Sequence, residues 1–238
     1  MMRACRRPFS SLSSVVLLAS IVGCDPGPSR PLEVVRSSVD VAADARGRAE
    51  LQMAGGDLHV FVGEGGSAAE AEFQFDWEPM RPKLDVDTSG PMPLVRIGQP
   101  SIPEEARRSH NIWKVSYDGS RITQYALTQG VGACALTITG SRVEQFEVRL
   151  GTGSLTIDLS GVVRSVSGRI ELNNGRLVLQ LPHRHGVKVH RKIVVGYATL
   201  NGEEQKDATW TSANYDTAPI RVDLDVLVLG GEIEMKTQ

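Results

Sequence analysis

Five segments of this sequence carry a glycine at the same point in an alternating pattern of apolar and polar residues. Four of them have apolar residues at the first, third, eighth and tenth positions around a glycine at the sixth, and one copy is degenerate. Successive side chains of a strand point to opposite faces, and glycine adopts positive φ without steric cost. Each segment therefore predicts two strands joined by a sharp bend, with apolar side chains inward on both. The bend residues are Gly56, Gly153, Gly175, Gly196 and Gly231.

The spacing of these segments predicts that they stack. The copies that begin at residues 148, 170 and 191 are 22 and 21 residues apart, which suits one coil of a β-solenoid. A single unit would leave its apolar row and backbone edges uncovered, whereas stacked copies cover both. We therefore predict an all-β, solenoid-like stack of glycine-turn strand pairs. An antiparallel β-sandwich with glycine at its turns is the alternative, because alternation alone does not fix topology.

The first 23 residues have the order of an export signal. Three arginines precede an apolar run at residues 12–23, which is too short for a membrane span of about 20 residues. The sequence IVGC at 21–24 resembles a bacterial lipobox, so we expect cleavage before Cys24 and lipidation of its thiol. The chain then divides into a signal peptide (1–23), a lipidated cysteine with a proline-rich tether (24–37) and a β-repeat domain (38–238). An uncleaved anchor or an ordinary secretory signal is the alternative.

Lipidation of Cys24 would anchor the mature protein to a membrane of the cell envelope, facing the periplasm in a cell that has two membranes. Cleavage removes three arginines and leaves 23 basic against 28 acidic residues, a net charge of about −5. This charge argues against a nucleic-acid partner. Cys134 stands among small apolar residues, which predicts a buried side chain rather than a reactive thiol.

The ordered combination of motifs resembles the toast-rack domain of envelope proteins related to the LiaF cell-wall-stress family and to adhesin-like β-repeat proteins. The similar parts are the opening stretch AGGDLHVFVGEGGSA, the step at Trp77, Glu78 and Pro79, a second tryptophan at Trp113, and the closing stretch VDLDVLVLGGEIEM. Two departures are a loop from residue 118 to 132 that is longer than expected, and a coil at Gly196 without the inward apolar pair before its turn.

The resemblance implies an exported or membrane-attached protein whose domain has no enzymatic activity of its own. In some members of the family, protein contacts sense or regulate envelope stress. We therefore expect a structural or protein-interaction module with an envelope protein partner, tethered through Cys24.

A basic, histidine-rich stretch begins at residue 183. His183 and His185 share one side of an extended segment and, with His190, are candidate metal ligands. No carboxylate or cysteine stands near in sequence and the neighbouring cations would repel a metal, so we predict no metal here. We expect a solvated basic loop that contacts an anionic polymer or lipid head groups. The candidate binding residues are His183, Arg184, His185, Lys188 and His190.

Two further patterns point to enzymes. GEGGSA at residues 63–68 fits a dinucleotide-binding loop, but no crossover helix is predicted after it. Glycosidases use paired carboxylates, for which the candidates are Asp76, Glu78, Asp85 and Asp87. Outward acids are, however, the ordinary polar half of a half-buried strand. We therefore predict that the protein is not an enzyme and has no cofactor.

The alternative function is a carbohydrate-active β-helix protein that binds or cleaves envelope polysaccharide. In that case the three tryptophans would form a platform for sugar rings; otherwise they cap the apolar column of the stack. These residues are Trp77, Trp113 and Trp210.

Overall fold

The computed structural model describes residues 31–42, 44, 46–99 and 110–238. These residues form thirteen strands of one mixed sheet. Six strands are long: β2 (Gly47–Gly63), β7 (Ile122–Thr139), β8 (Gln145–Gly161), β9 (Val166–Leu181), β10 (Gly186–Leu200) and β13 (Arg221–Thr237). Seven are short: β1 (Glu33–Val39), β3 (Ala69–Phe75), β4 (Lys83–Asp87), β5 (Leu94–Gly98), β6 (Asn111–Asp118), β11 (Glu203–Gln205) and β12 (Thr209–Thr211). The predicted all-β class is confirmed.

The signal segment and Cys24 lie outside the described residues. The first strand, β1, begins at Glu33, within the segment that the sequence assigns to the tether. A single 3₁₀ turn spans Glu78–Met80. In the described part of the chain no helix is long and apolar enough to cross a membrane.

The six long strands lie side by side in parallel, in the order β2, β7, β8, β9, β13, β10. Each of these strands is one layer of the stack. A glycine with positive φ stands near the centre of every layer, and the registers place these glycines opposite one another. We call this row the glycine column: Gly56, Gly132, Gly153, Gly175, Gly231 and Gly196. Parallel layers bent at aligned glycines confirm the predicted stack and exclude the antiparallel β-sandwich.

Each bend shifts the alternation of its strand by one residue. In β2 the buried side chains include Leu51 and Met53 before the bend and Leu58 and Val60 after it, so inward positions change from odd to even. A straight strand cannot make this change, because its side chains alternate strictly. The bend therefore lets both arms of each layer turn their apolar side chains into one shared core.

Side chains cannot replace the hydrogens of these glycines. A Cβ on Gly153 would lie 1.8 Å from the carbonyl oxygen of Gly132, and one on Gly175 would lie 1.8 Å from that of Gly153. Positive φ and close backbone approach both require glycine. The column also has a direction, since each glycine presses against the carbonyl oxygen of the layer before it.

Two features of the stack correct the sequence prediction. The segment from 118 to 132, expected to be a long loop, contains the whole first arm of β7, and Gly132 is the bend of an additional layer. The coil at Gly196 does not follow the coil at Gly175 in space, because β13 lies between β9 and β10. The strand nearest the chain's end is thus inserted into the stack, and β10 becomes its last layer.

Candidate interaction surface

At the first end of the glycine column, other segments cover the outer edge of β2. The arm of β2 before the bend pairs with β5, and the arm after the bend pairs with β6. Two amide side chains fill the gap at the bend. Asn111 Nδ2 donates a hydrogen bond to the carbonyl oxygen of Gly55 at 2.6 Å, and Gln99 Oε1 accepts one from the backbone N–H of Ala54 at 3.2 Å. The bend of this layer is therefore covered by hydrogen-bonded partners.

A buried aromatic pair packs behind this closure. Trp113 is fully buried, and its Nε1 donates a hydrogen bond to Asn111 Oδ1 at 2.8 Å. Its ring meets Phe73 edge to face, with 5.3 Å between the ring centroids. Trp113 thus caps the core at this end and is not accessible to a sugar ring. Trp77 and Trp210 are partly buried against the core.

At its other end the glycine column stops at β10, where the bend is uncovered. β12 pairs with residues 188–190 of β10, and β11 pairs with residues 198–200. Within the described part of the chain, no strand pairs with the outer edge of β10 at residues 192–197, which we call the open edge. Val194, Val195 and Tyr197 are 58, 69 and 51% exposed. Unpaired backbone groups beside exposed apolar side chains can template another strand.

Arg191 occupies an inward position directly beside the open edge. Its counterparts in the neighbouring layers are apolar and buried: Val226 in β13 and Ile170 in β9. Arg191 is only 5% exposed, and neither terminal guanidinium nitrogen has a hydrogen-bond partner. Burial lowers the pKa of Arg191, while the nearby carboxylate of Asp207 opposes this shift. A buried charge without a partner is strongly destabilising, so this arginine calls for an explanation.

The first half of the predicted basic patch lies in the turn between β9 and β10. His183 Nδ1 contacts the backbone oxygen of Gln238, and His185 Nε2 lies 3.0 Å from the carbonyl oxygen of Val162. Arg184 lies between them in the same turn and is exposed. Both histidines are thus engaged with main-chain oxygens of neighbouring segments.

The second half of the patch belongs to a strand, which corrects the expectation of a basic loop. Lys188 and His190 lie in β10, where each pairs with β13 on one side and β12 on the other. The ammonium of Lys188 lies 4.3 Å from the ring centroid of Tyr215, and His190 Nδ1 lies 3.0 Å from Thr209 Oγ1. Among the described residues, no three His, Cys, Asp or Glu side chains are grouped to hold a metal ion.

On the outer face of the first arms, one row of side chains alternates between acidic and basic in β8, β9 and β13, and His190 of β10 lies beside it. The register pairs His190 with Asp225, Asp225 with Arg169, and Arg169 with Glu147. A shallow groove of about 390 Å³ follows this face near β10 and β13. Such exposed pairs contribute little to stability, but like charges directly opposite would be unfavourable. The alternation therefore favours this register and leaves a face of mixed charge.

Two of the carboxyl groups considered for glycoside cleavage, Glu78 and Asp87, have a lowered pKa. Glu78 accepts a hydrogen bond from Arg81 at 2.7 Å, which lowers the pKa of the carboxyl group. The hydroxyl and backbone N–H of Ser89 likewise lower the pKa of Asp87. Asp85 lies two residues earlier on the same strand, β4. A general acid needs a raised pKa, so this environment does not suit Glu78 or Asp87 for that role.

Three other candidates from the sequence are the loop at 63–68, Asp76 and Cys134. The loop at 63–68 joins β2 to strand β3 instead of opening a helix, so it lacks the geometry of a dinucleotide-binding loop. Asp76 directly follows β3. Cys134 is buried, as predicted, and burial raises the pKa of its thiol to about 12. A thiol in that state is a poor nucleophile.

Comparison with known proteins places this geometry in a family. The family model for the N-terminal domain of toast_rack, DUF2154, matches residues 30–177. A candidate cell adhesion protein from Clostridium sporogenes has a similar fold, with a TM-score of 0.79 at 19% identity over 87% of this chain and 100% of that chain. A candidate adhesin from Parabacteroides merdae aligns with a TM-score of 0.28 at 14% identity, over 85% of this chain and 95% of that chain.

No curated protein matches the sequence. The family match and the shared fold support a β-repeat structural or interaction module, in line with the sequence prediction. Because the family model matches more than half of the residues, the chain belongs to the toast_rack family.

Proposed function

We propose that this protein is a membrane-tethered lipoprotein of the cell envelope whose β-repeat domain acts by binding a protein partner. The observation that carries the proposal is the continuous parallel stack, which presents long outer faces of fixed register and mixed charge. Such faces suit the recognition of a protein surface, where charge patterns set specificity more than affinity. The family resemblance supports a role for this contact in the response to envelope stress.

The tether fixes how the domain meets the membrane. Nine residues lead from the lipidated Cys24 to Glu33, where β1 begins, and they reach at most about 30 Å when extended. β1 lies on the closed side of the stack, eight strands away from β10 in the sheet order. At about 4.8 Å per strand, β10 is about 38 Å from β1. The tether is therefore attached on the closed side of the stack, and the open end lies eight strands from the point of attachment.

We also propose that the domain acts without turnover. The lowered pKa values of Glu78 and Asp87 support this, since neither carboxyl group is prepared to donate a proton near neutral pH. Incubation of the protein with envelope polysaccharide should release no reducing ends. Sustained release, lost on substitution of Asp85 and Asp87 by asparagine, would instead establish the carbohydrate-active alternative.

In-cell crosslinking tests the tethered interaction. The wild-type chain should sediment with membranes and crosslink reproducibly to a small set of envelope proteins, identified by mass spectrometry. A Cys24→Ala chain should leave the membrane fraction and lose those neighbours, because it lacks the lipid that concentrates it there. Identical neighbours for both chains, with both free of membranes, would reject the tether.

A further inference from the structure

We propose that the open edge at residues 192–197 binds an extended, acidic polypeptide segment of a partner protein, which adds a strand to the stack and presents a carboxylate to Arg191. This inference rests on the proposed function, because it identifies the surface and the chemistry through which the domain would hold its partner.

The backbone of β10 is already arranged to accept another strand. Its inner edge pairs in parallel with β13 over residues 186–200, interrupted only at the bend. A Cβ on Gly196 would lie 1.7 Å from the carbonyl oxygen of Gly231, the same contact that every earlier layer makes. By the same geometry the carbonyl oxygen of Gly196 faces outward, where a following layer would lie. An extended peptide can therefore join the stack by strand addition without rearrangement of β10.

The length of the open edge limits what fits. β12 and β11 occupy the positions on either side of it, and the backbone N–H of Arg191 donates to the carbonyl oxygen of Ala208 at 2.7 Å. Six residues of β10 remain for pairing, about 20 Å of strand. Ile193, within this edge, is only partly buried, although its counterpart in β13, Val228, is fully buried. A short apolar segment of the partner would bury the part of Ile193 that is exposed.

Charge defines the chemistry of the segment. The two terminal guanidinium nitrogens of the buried Arg191 have no hydrogen-bond partner, and Lys192 stands exposed beside it without an ion pair in the described part of the chain. An acidic residue opposite Ile193 would point inward, two positions along from Arg191. Diagonal neighbours at that spacing are within reach of long side chains. Asp207 acts on Arg191 electrostatically, but neither terminal nitrogen has a hydrogen-bond partner. A glutamate on the added strand would supply that partner, and such charge-assisted bonds are strong.

A polypeptide fits these requirements better than a membrane surface does. Lipid head groups supply negative charge but no row of backbone donors and acceptors to pair with the edge. The tether joins the sheet at β1, which is eight strands away from the open edge of β10 in the sheet order.

A peptide copied from the neighbouring layer provides the probe. Residues 227–232, LVLGGE, pair with 192–197 on the inner edge and bend at the same point. The test peptide is LELGGE, which carries Val228→Glu opposite Ile193, and its match without that carboxylate is LQLGGE. Titrated against the full-length protein in detergent, LELGGE should bind at least about tenfold more tightly than LQLGGE, a difference of about 1.4 kcal/mol.

Three variants of the protein locate the binding. Arg191→Leu should abolish the preference for the acidic peptide, and Arg191→Lys should retain part of it. Val195→Asp should weaken both peptides at least about tenfold, because it places a like charge on the edge. Val163→Asp is the matched control, since Val163 is 52% exposed in the connection between β8 and β9 and should bind as the wild type does.

Equal affinity for the two peptides in the wild type, or unchanged binding by Val195→Asp, would overturn the proposal. Concentration-dependent self-association that Val195→Asp abolishes would also overturn it, by assigning the edge to a second copy of this chain. Retention of every in-cell crosslink by Val195→Asp would reject this edge while leaving the proposed function intact. Absence of any crosslink in the wild type would reject the proposed function itself, whatever the peptides do.

Discussion

The two ends of the glycine column are built alike but finished differently. At each end, one short strand covers the first arm of the terminal layer and another covers the second arm. β5 and β6 cover five and seven residues of β2, whereas β12 and β11 cover three residues each of β10. Asn111 and Gln99 then close the bend of β2, and within the described residues nothing comparable closes the bend of β10.

This difference shows what limits a stack of identical layers. Each layer offers its neighbour the same edge, so the stack has no internal reason to end and requires a cap at both sides. The closed end meets this requirement with a buried network of amides and Trp113, at which strand addition stops. The open end instead combines an unpaired edge with the buried cation of Arg191. The closed end favours stability, and the open edge is the surface that we propose for association.

The largest expected effect comes from the middle of the column, which both ends enclose. Gly153→Ala combines positive φ with a Cβ 1.8 Å from a backbone oxygen, and layers on both sides prevent relaxation. The free energy of unfolding should fall by at least about 4 kcal/mol, measured by urea denaturation. Gly196→Ala should cost less, because no described strand pairs outside the bend of β10, which can shift outward.

Substitutions at two other glycines separate the two causes of the lost stability, which are positive φ and the contact of a Cβ with the next layer. Gly140 has positive φ but open space around a Cβ, so Gly140→Ala should cost about 1–2 kcal/mol from backbone strain alone. Gly98 has neither constraint, so Gly98→Ala should be close to neutral. Equal losses at Gly153 and Gly140 would show that φ, and not the contact between layers, makes glycine necessary in the column.

The closed end should lose stability when its amide cap is removed. Asn111→Ala leaves the Trp113 N–H and the Gly55 carbonyl without their partners in a buried site, at about 1–3 kcal/mol each. We expect a loss of about 3 kcal/mol in the free energy of unfolding. Asn173→Ala, an exposed substitution near the bend of β9, should be neutral. If both asparagines behave alike, the cap contributes nothing specific.

The open end should respond in the opposite direction. Arg191→Leu replaces a buried cation, whose terminal nitrogens have no hydrogen-bond partner, with the apolar type of residue found at the same position in the neighbouring layers. Replacing a buried charge in this way is often stabilising, and we expect a gain of about 2 kcal/mol in denaturant unfolding. Gln129→Leu, also at an inward position, should be destabilising, because its Nε2 donates to Gly56 O at 2.7 Å. A loss of stability in Arg191→Leu would mean that the guanidinium has a structural role.

The sequence predicts the repeating part of the fold well because each layer repeats the same local pattern. Five of the six bends follow from apolar alternation around a glycine. The sixth, at Gly132, is missed because Gln129 stands where the pattern requires an apolar residue. Its Nε2 donates hydrogen bonds to main-chain oxygens at the bend, whereas its Oε1 is buried without a partner. A glycine within an alternating segment therefore predicts a bend more reliably than the full pattern, which requires apolar residues at all four positions.

The order of the layers and the open edge could not be predicted in the same way. Any layer can pair with any other, so the insertion of β13 between β9 and β10 depends on long-range contacts that spacing does not reveal. The degenerate copy at Gly196 did contain a signal, since Arg191 replaces an inward apolar residue. A terminal layer tolerates this departure, and the exposed Val194 and Val195 belong to the same edge.

The smallest expected effect is a difference between the two ends in how the free energy of unfolding depends on acidic pH. Glu72 in β3, on the closed side, accepts hydrogen bonds from Gln74 and Arg36, which lower its pKa from 4.5 to about 2. Between these values the unfolded chain binds more protons, so this carboxylate stabilises the fold above pH 4.5 and loses that contribution as pH falls toward 2.

Glu72→Gln should therefore flatten the fall in unfolding free energy from pH 4.5 to 2, measured by denaturant titration at each pH. Glu70→Gln, an exposed neighbour on the same strand without a hydrogen bond among the described residues, should leave the slope unchanged. Arg191→Leu should shift the whole profile upward without changing its slope, because the open end lies beyond contact with β3. A change of slope in Arg191→Leu would show that the two ends do not act independently.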